Sequence, residues 1–320
     1  MRVSIAMCTC NGAAFLPQQL GSIAGQHHPP DELIVCDDCS TDDTARLVES
    51  FAAGAGFDVR LVVNDEPLGA TKNFEKAIGL CGGDIIALSD QDDVWLPGKL
   101  GRIEATFAGS PAAAMVFTDA ELVDETLRAL GLRLWPCVYF GSRQQRRLRR
   151  GGAFDLLLTH NICTGATMAF RAQYKDLLLP IHPGWVHDGW IALLLAAAGQ
   201  VEAVAEPLIL YRQHGRQQIG AKAPTLIGQY RHAKTMGHEY FRRETDNFAA
   251  ALERLREHPG LAAPEALAKL ESKVAHYRAR LRMRQVGRLA RLPIVLAELI
   301  RGRYFRYSIN AKAIGQDLFL

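Results

Sequence analysis

Short apolar runs of strand length alternate with helix-spaced segments through residue 88, and that alternation constrains the fold more than anything else in the chain. Residues 3–8 read as a buried strand. Phe15, Leu16, Leu20 and Ile23 then recur at helical spacing. Pro29 and Pro30 break the chain before a second strand at 33–36. A helix follows over 44–51, with Ser40 or Thr41 placed to cap it. A strand at 59–63, a helix at 73–80 and a strand at 85–88 continue the series, and 101–107 and 113–117 extend it. Repeats of about thirty residues in this pattern predict a parallel, doubly wound α/β sheet.

Ligands bind such sheets beyond the carboxyl ends of the strands. Three strand ends carry polar residues: Thr9-Cys10-Asn11, Asp37-Asp38 and Ser89-Asp90-Gln91-Asp92-Asp93. Carboxylates this close repel one another unless something offsets the charge. A divalent cation is the usual offset, and hard oxygen ligands favour magnesium, manganese or calcium. A solvated acidic turn is the alternative, and the residues of the cluster alone leave both open. No Gly-x-Gly-x-x-Gly follows the first strand and no Walker loop occurs, which excludes an ordinary dinucleotide fold and a P-loop enzyme.

Charge divides the chain. From residue 221 onward there are 19 Lys and Arg against 9 Asp and Glu; before it, 18 against 25. An acidic front and a basic tail predict two regions with different work. Seven cysteines form no regular framework, and Cys8, Cys10, Cys36 and Cys39 lack zinc-knuckle spacing. They are expected to be reduced thiols of a cytoplasmic protein. The chain enters a strand at once, so no signal peptide is expected. The most apolar stretch, 191–210, is interrupted by Gln200, Glu202 and Glu206 and is not read as a membrane span.

Taken in order, Ser4-Ile5 leading to Thr9-Cys10-Asn11, Asp37 through Asp42, Asn64 with Gly69, Gly83-Asp84, and Ser89 through Trp95 resemble the motifs of a family-2 glycosyltransferase. Two positions depart from that family. Cys10 stands where Tyr usually precedes the Asn, and Cys39 where Gly usually follows the paired acids; the second bears on turn geometry. The resemblance implies inverting chemistry on an α/β GT-A fold: a Rossmann-like mixed sheet with helices on both faces. It implies that Thr9, Asn11, Asp37, Asp38, Lys72 and Asp90 meet the donor nucleotide. Asp38 would accept from the imide N–H of uracil or thymine. Asp92 would hold Mg2+ or Mn2+ bridging a diphosphate. Asp42 and Asp43 are read as helix-capping acids, and Asp119 as one more edge carboxylate.

Downstream, Asp188 opens the apolar helix 191–198. A carboxylate there is either a cap held ionised by the helix dipole or a general base. Segments 164–170, 187–190 and 207–215 resemble the rhamnosyltransferase-like branch of the same family, many members of which carry Trp where Gly189 stands. The resemblance covers residues 1–220. It implies that Asp188 is the catalytic base, that His214 joins Asp92 at the metal, and that Gly165, His187 and Trp190 line the sugar or acceptor pocket. Trp190, with Trp185, offers flat apolar faces to a sugar ring.

The expected division is a catalytic domain at 1–222 and a basic helical C-terminal extension at 223–320. In the tail, Leu267, Leu270, Val274 and Tyr277 recur at core-facing spacing. Arg278, Arg280, Arg282, Arg284, Arg288 and Arg291 are read as facing anionic lipid. The apolar stretch 292–300 lies between basic flanks, as in an interfacial helix. A lid or an oligomer contact is the other reading. The run from Arg143 to Arg150 is either a solvated face or a phosphate contact. No nucleic-acid module is present and no such partner is expected.

The sequence therefore predicts a metal-dependent inverting glycosyltransferase. Its partners would be a dTDP- or UDP-sugar donor, with rhamnose implied only by resemblance, and a glycan or lipid-linked acceptor in bacterial surface polysaccharide synthesis. It would work in the cytoplasm or peripherally on the inner face of the membrane. A sugar nucleotidyltransferase would need a glycine- and arginine-rich first loop that 9–14 lacks. A non-catalytic sugar-nucleotide scaffold would not need its acids intact.

Overall fold

Four parallel strands, β1 (Val3–Thr9), β2 (Glu32–Asp37), β3 (Asp58–Val63) and β4 (Ile85–Ser89), lie in the spatial order β3-β2-β1-β4. They come from a computed structural model that describes residues 1–215, 237–308 and 312–319. Helices α1 (Leu16–Ala24), α2 (Thr44–Ala52) and α3 (Gly69–Leu80) make the crossovers. Each expected element of this half is present, with ends displaced by a few residues. At the start of α2 the expectation of an acid at Asp42 holds and that of a hydroxyl cap does not. Neither Ser40 nor Thr41 caps it; Asp42 Oδ1 accepts from the Thr44 N–H at 3.0 Å.

Beyond β4 the sheet is no longer wholly parallel. The chain makes β5 (Val94–Trp95), α4 (Lys99–Gly109), β6 (Ala113–Val123) and β7 (Ala129–Arg133), then short helices α5 (Leu134–Cys137), α6 (Ser142–Leu148) and α7 (Ala153–Leu157). It continues through β8 (Met168–Arg171), α8 (Lys175–Leu178), α9 (His187–Ala198) and β9 (Gln200–Arg212). The sheet runs on as β4-β8-β6-β9-β5, with β7 added to β6, and β8 is antiparallel to both its neighbours. The pattern of the first repeats was thus over-extended. Helices α5 to α7 and the 3-10 turn Gly165–Thr167 lead into β8, but β8 returns antiparallel, so they form no βαβ crossover. The outcome is the mixed sheet that the family resemblance implied.

One apolar layer, including Leu16, Leu20, Val48, Ile103 and Phe107, covers one face of the sheet. The other face carries Phe74, Ile78, Trp190, Leu194 and their neighbours. The second layer continues into the C-terminal helices α10 (His238–Glu257) and α11 (Pro264–Met283), through Phe241, Phe248, Leu270, Val274 and Tyr277. The expected boundary at 222/223 lies outside the described residues. Helices α12 (Arg288–Ile300), α13 (Arg303–Tyr307) and α14 (Lys312–Phe319) complete the tail.

Two arginines expected to face lipid point inward instead. Buried Asp317 accepts from Arg280 at 2.7 and 3.0 Å, from Arg284 at 2.8 Å and from the Tyr304 hydroxyl at 2.7 Å. Their charge is spent pinning α14 to α11. Asp119 also departs from expectation. It lies inside β6 rather than at its end, and its Oδ1 accepts from the backbone of Ala120 and Trp135. Among the described residues no helix is long and apolar enough to cross a membrane.

Candidate functional site

Strand register gathers the three polar strand ends on one edge. Thr9 pairs with Asp37 across β1 and β2, and Met7 with Ser89 across β1 and β4. The strands deliver these residues; the loops then fix them. Thr9 Oγ1 donates to Asp37 Oδ1 at 2.7 Å, and Ser40 donates to the same carboxylate through its N–H (2.8 Å) and Oγ (2.6 Å). Asp38 accepts from Asn64 Nδ2 (3.0 Å) and from the N–H groups of Leu68 (2.6 Å) and Gly69 (2.9 Å). Asn11 adopts φ +49°, and its Oδ1 accepts from the Thr41 N–H at 2.8 Å. Cys39 sits at φ +58°, a conformation that favours glycine, which accounts for Gly being usual at this place in the family. Thr9, Asn11, Asp37 and Asp38 thus sit together. In the protein alone, their polar atoms hold the loops around the strand ends.

The acid cluster is set by a long-range pairing. Val94 and Trp95 of β5 pair antiparallel with Leu210 and Ile209 of β9. This pairing lays 92–93 beside 212–214. The Arg212 N–H donates to Asp93 Oδ1 (3.0 Å), and its guanidinium donates to the carbonyls of Asp92 (2.6 Å) and Glu125 (2.5 Å). His214 Nε2 lies 2.7 Å from Asp92 Oδ2. Gln19 closes the turn from below. It lies 2.7 Å from Ser89 Oγ, and its amide is satisfied at both ends when the NH2 donates to the Asp93 carbonyl at 2.7 Å.

Negative charge here is only partly offset. Burial, then the charges of Asp92 and Asp188, push the Asp90 carboxyl up to about 7. Fully buried Asp93 is raised well above the usual range, first by burial, and among the described residues its Oδ2 has no hydrogen-bond partner. Besides Arg212, Lys99 lies close by; it is buried and held well below the usual lysine range by desolvation. Its Nζ lies 3.4 Å from the centre of the Trp95 ring and donates to the Ala166 carbonyl at 2.9 Å. The acid turn is thereby tied to the small-residue segment around Gly165. Lys99 was not singled out from sequence. The signal was there: it shares the α4 face of Ile103 and Phe107 at four-residue steps.

Asp188 enters from the other side, in the first turn of α9. Asn161 Nδ2 donates to its Oδ1 at 3.1 Å, and the N–H groups of Gly165 and Gly189 bond it as well. Desolvation outweighs these bonds and lifts its pKa to about 6. Asp188 is close enough for its charge to raise Asp90, so the structure brings these two acids into one site.

Four sequence-predicted residues, Trp190, Lys72, Gly165 and His187, have other roles in the structure. Trp190 is 1% exposed, with its indole N–H donating to the Leu178 carbonyl at 2.8 Å, so its ring offers no face to a sugar. Helix α9 is apolar almost all round, and such a helix belongs in a core. Lys72 is engaged by Glu75 (2.6 Å) and the Ile181 carbonyl (2.9 Å), which neutralises the charge expected at phosphate. Gly165 makes room for protein rather than sugar, because a Cβ there would lie 2.7 Å from His187 Nε2. That histidine stacks on Phe74 with centroids 4.1 Å apart, and burial lowers its pKa to about 4. A Cβ on Gly189 would meet the Trp185 ring at 3.3 Å, so the indole of Trp185 fills the space beside this position.

Among the described residues no three His, Cys, Asp or Glu groups converge tightly enough to hold a metal ion unaided. Asp92 and His214 nevertheless bring a carboxylate and an imidazole into contact, beside Asp90 and the unpartnered Asp93 Oδ2. A donor set with excess negative charge fits a hard divalent cation whose other ligands come from outside the chain.

Comparison with known proteins agrees with this geometry. Residues 4–178 match the family described as Glycosyl transferase family 2. An uncharacterized glycosyltransferase of Nostoc sp. is 27% identical over 222 residues, covering 67% of this chain and 66% of that protein. The dTDP-rhamnosyl transferase RfbG of Shigella flexneri is 24% identical over 262 residues, covering 77% and 84%. The match thus spans just under two thirds of the Nostoc protein, and 59% of an uncharacterized Mycobacterium tuberculosis protein. Among solved structures, residues 1–349 of S. aureus TarS with UDP superpose at TM-score 0.55 and 14% identity, covering 99% of this chain and 89% of that one. The mannosyltransferase PcManGT from Pyrobaculum calidifontis, in complex with GDP-Man and Mn2+, gives 0.52 at 18% identity, covering 99% and 85%. At such identities the likeness is one of fold, and the fold is GT-A.

Proposed function

The chain belongs to glycosyl transferase family 2, and from that premise we propose that it transfers a sugar, with inversion, from a nucleoside diphosphate donor to an acceptor hydroxyl. The observation that carries the reading is convergence. Asp188 stands in the same site as Asp90 and Asp92, from nearly a hundred residues away, with a pKa lifted to about 6. Such a carboxylate is ionised at neutral pH yet basic enough to accept a proton.

In this mechanism Asp188 takes the acceptor hydroxyl proton while that oxygen attacks the anomeric carbon opposite the diphosphate. Asn161 and the N–H groups of Gly165 and Gly189 hold the carboxylate in position. The strand-end loops fixed by Asp37, Asp38, Thr9 and Asn11 receive the nucleotide. Asp92 and His214, with Asp90 beside them, would hold a divalent metal, which when bound neutralises charge on the departing diphosphate. Residues 1–222 act as the catalytic domain, and the C-terminal helices buttress it through Phe248, whose ring meets Trp185 edge-on at 5.2 Å. The RfbG likeness favours a dTDP-sugar, with rhamnose as the first sugar to test, and an acceptor in bacterial surface polysaccharide synthesis.

A thermal-shift screen of UDP-, dTDP- and GDP-sugars with manganese tests the reading. Stabilisation by one nucleotide series is expected, retained by Asp188→Asn while transfer is lost. Absence of stabilisation by every sugar nucleotide would count against a donor site.

A further inference from the structure

Helix α12 is amphipathic in an inverted sense. Val295 and Glu298 are its buried residues. The opposite face carries Leu289, Leu292, Leu296 and Ile300 at three- and four-residue steps, and Leu289 and Ile300 are 83% and 87% exposed. Phe305 of the next helix, α13, is a further exposed apolar side chain, at 71%. Leucine and isoleucine side chains this open, aligned on one helix, mark a surface with a partner. The charge around the stripe selects which partner. Arg288 precedes it, Arg301 and Arg306 follow it, all three are exposed, and no acidic residue lies on the apolar face. Cationic ends on an apolar stripe complement an anionic lipid headgroup region above acyl chains.

We propose that the exposed face of α12, with Phe305, is a docking surface for an anionic phospholipid bilayer, the helix lying in the plane of the interface. The sequence placed lipid contact both on the arginines from 278 onward and on the apolar stretch 292–300 between its basic flanks. The structure removes Arg280 and Arg284 from that role by burying them against Asp317, and leaves the exposed leucine stripe of the second. The surface owes nothing to the acid site, so the proposal goes beyond the glycosyl-transfer reading, and either stands if the other fails.

The experiment is co-sedimentation of the full chain with vesicles of phosphatidylglycerol and phosphatidylcholine in equal parts, and with phosphatidylcholine alone. Binding to the anionic vesicles only, weakened by added salt, is expected. Leu296→Gln with Ile300→Gln should cut partitioning about tenfold or more. Arg288→Gln with Arg306→Gln should abolish the preference for anionic lipid. Both pairs are exposed, so the melting temperature and nucleotide release from soluble donors should match the parent. Undiminished binding by the leucine-stripe variant would overturn the proposal. So would absence of vesicle binding by the parent, with light scattering showing a dimer that the variant dissolves; the occupant would then be a second copy of this chain.

Discussion

Replacing Asn161 with Ala should move the acidic limb of the transfer reaction to higher pH. The Asn161 amide donates to Asp188 Oδ1 at 3.1 Å and stabilises its charged form. A hydrogen bond to a charged group contributes about 1.5–3 kcal/mol, and about 1.4 kcal/mol corresponds to one pKa unit. Asp188 is partly open to solvent, so the low end applies, a rise of about one unit from a starting value of about 6. Only the ionised carboxylate is a base. The parent should therefore lose activity as pH falls through about 6, and the variant about one unit higher, with the two converging in alkaline buffer. The assay is kcat/KM against pH with a saturating divalent metal. A rate loss of equal size at every pH, or a limb that stays in place, would refute the assignment. Asp188→Asn should cost about 10²–10⁴ in rate without costing stability. The sign follows from linkage: the folded pKa of about 6 exceeds the ordinary aspartate value of 3.8. The contribution to stability is then present below the lower value and lost as pH rises through the higher one. Removing the charge should leave the melting temperature in alkaline buffer no lower than the parent's. A collapse of the fold would mean the residue is structural.

Lys99→Met removes the buried cation beneath the acid turn and frees the Ala166 carbonyl. It should lower unfolding free energy by about 1–3 kcal/mol in urea titrations, and an unchanged midpoint would contradict the role given to Lys99. His214→Ala should raise the manganese concentration needed for half-maximal activity while leaving donor-free thermal stability near the parent's. Equal manganese dependence in parent and variant would remove His214 from the metal site.

The strand ends were legible because their spacing follows from local alternation: once β1, β2 and β4 are parallel neighbours, Thr9, Asp37 and Ser89 must share an edge. The position of Asp188 at the start of α9 was legible for a similar reason, a carboxylate just before an apolar helix. Its approach to Asp90 was not, because that depends on how α9 packs across the sheet. Arg212 was unreadable as a turn-holding residue, since its partners Asp92, Glu125 and Gln18 lie far away in sequence. Trp190 was misread because aromatic rings suit both sugars and cores, and only the all-round apolarity of α9 decides between them. Arg280 and Arg284 were misread as surface charge because Asp317, the acid that draws them inward, belongs to another helix.

Release of nucleoside diphosphate tests the acid cluster most directly. The full chain, incubated with a panel of sugar nucleotides with and without manganese, should liberate the diphosphate from one nucleotide series, faster with metal. Asp92→Asn should lose most of that stimulation. Absence of release from every donor, with and without metal or an added glycan acceptor, would contradict a glycosyl-transfer site at the acid cluster.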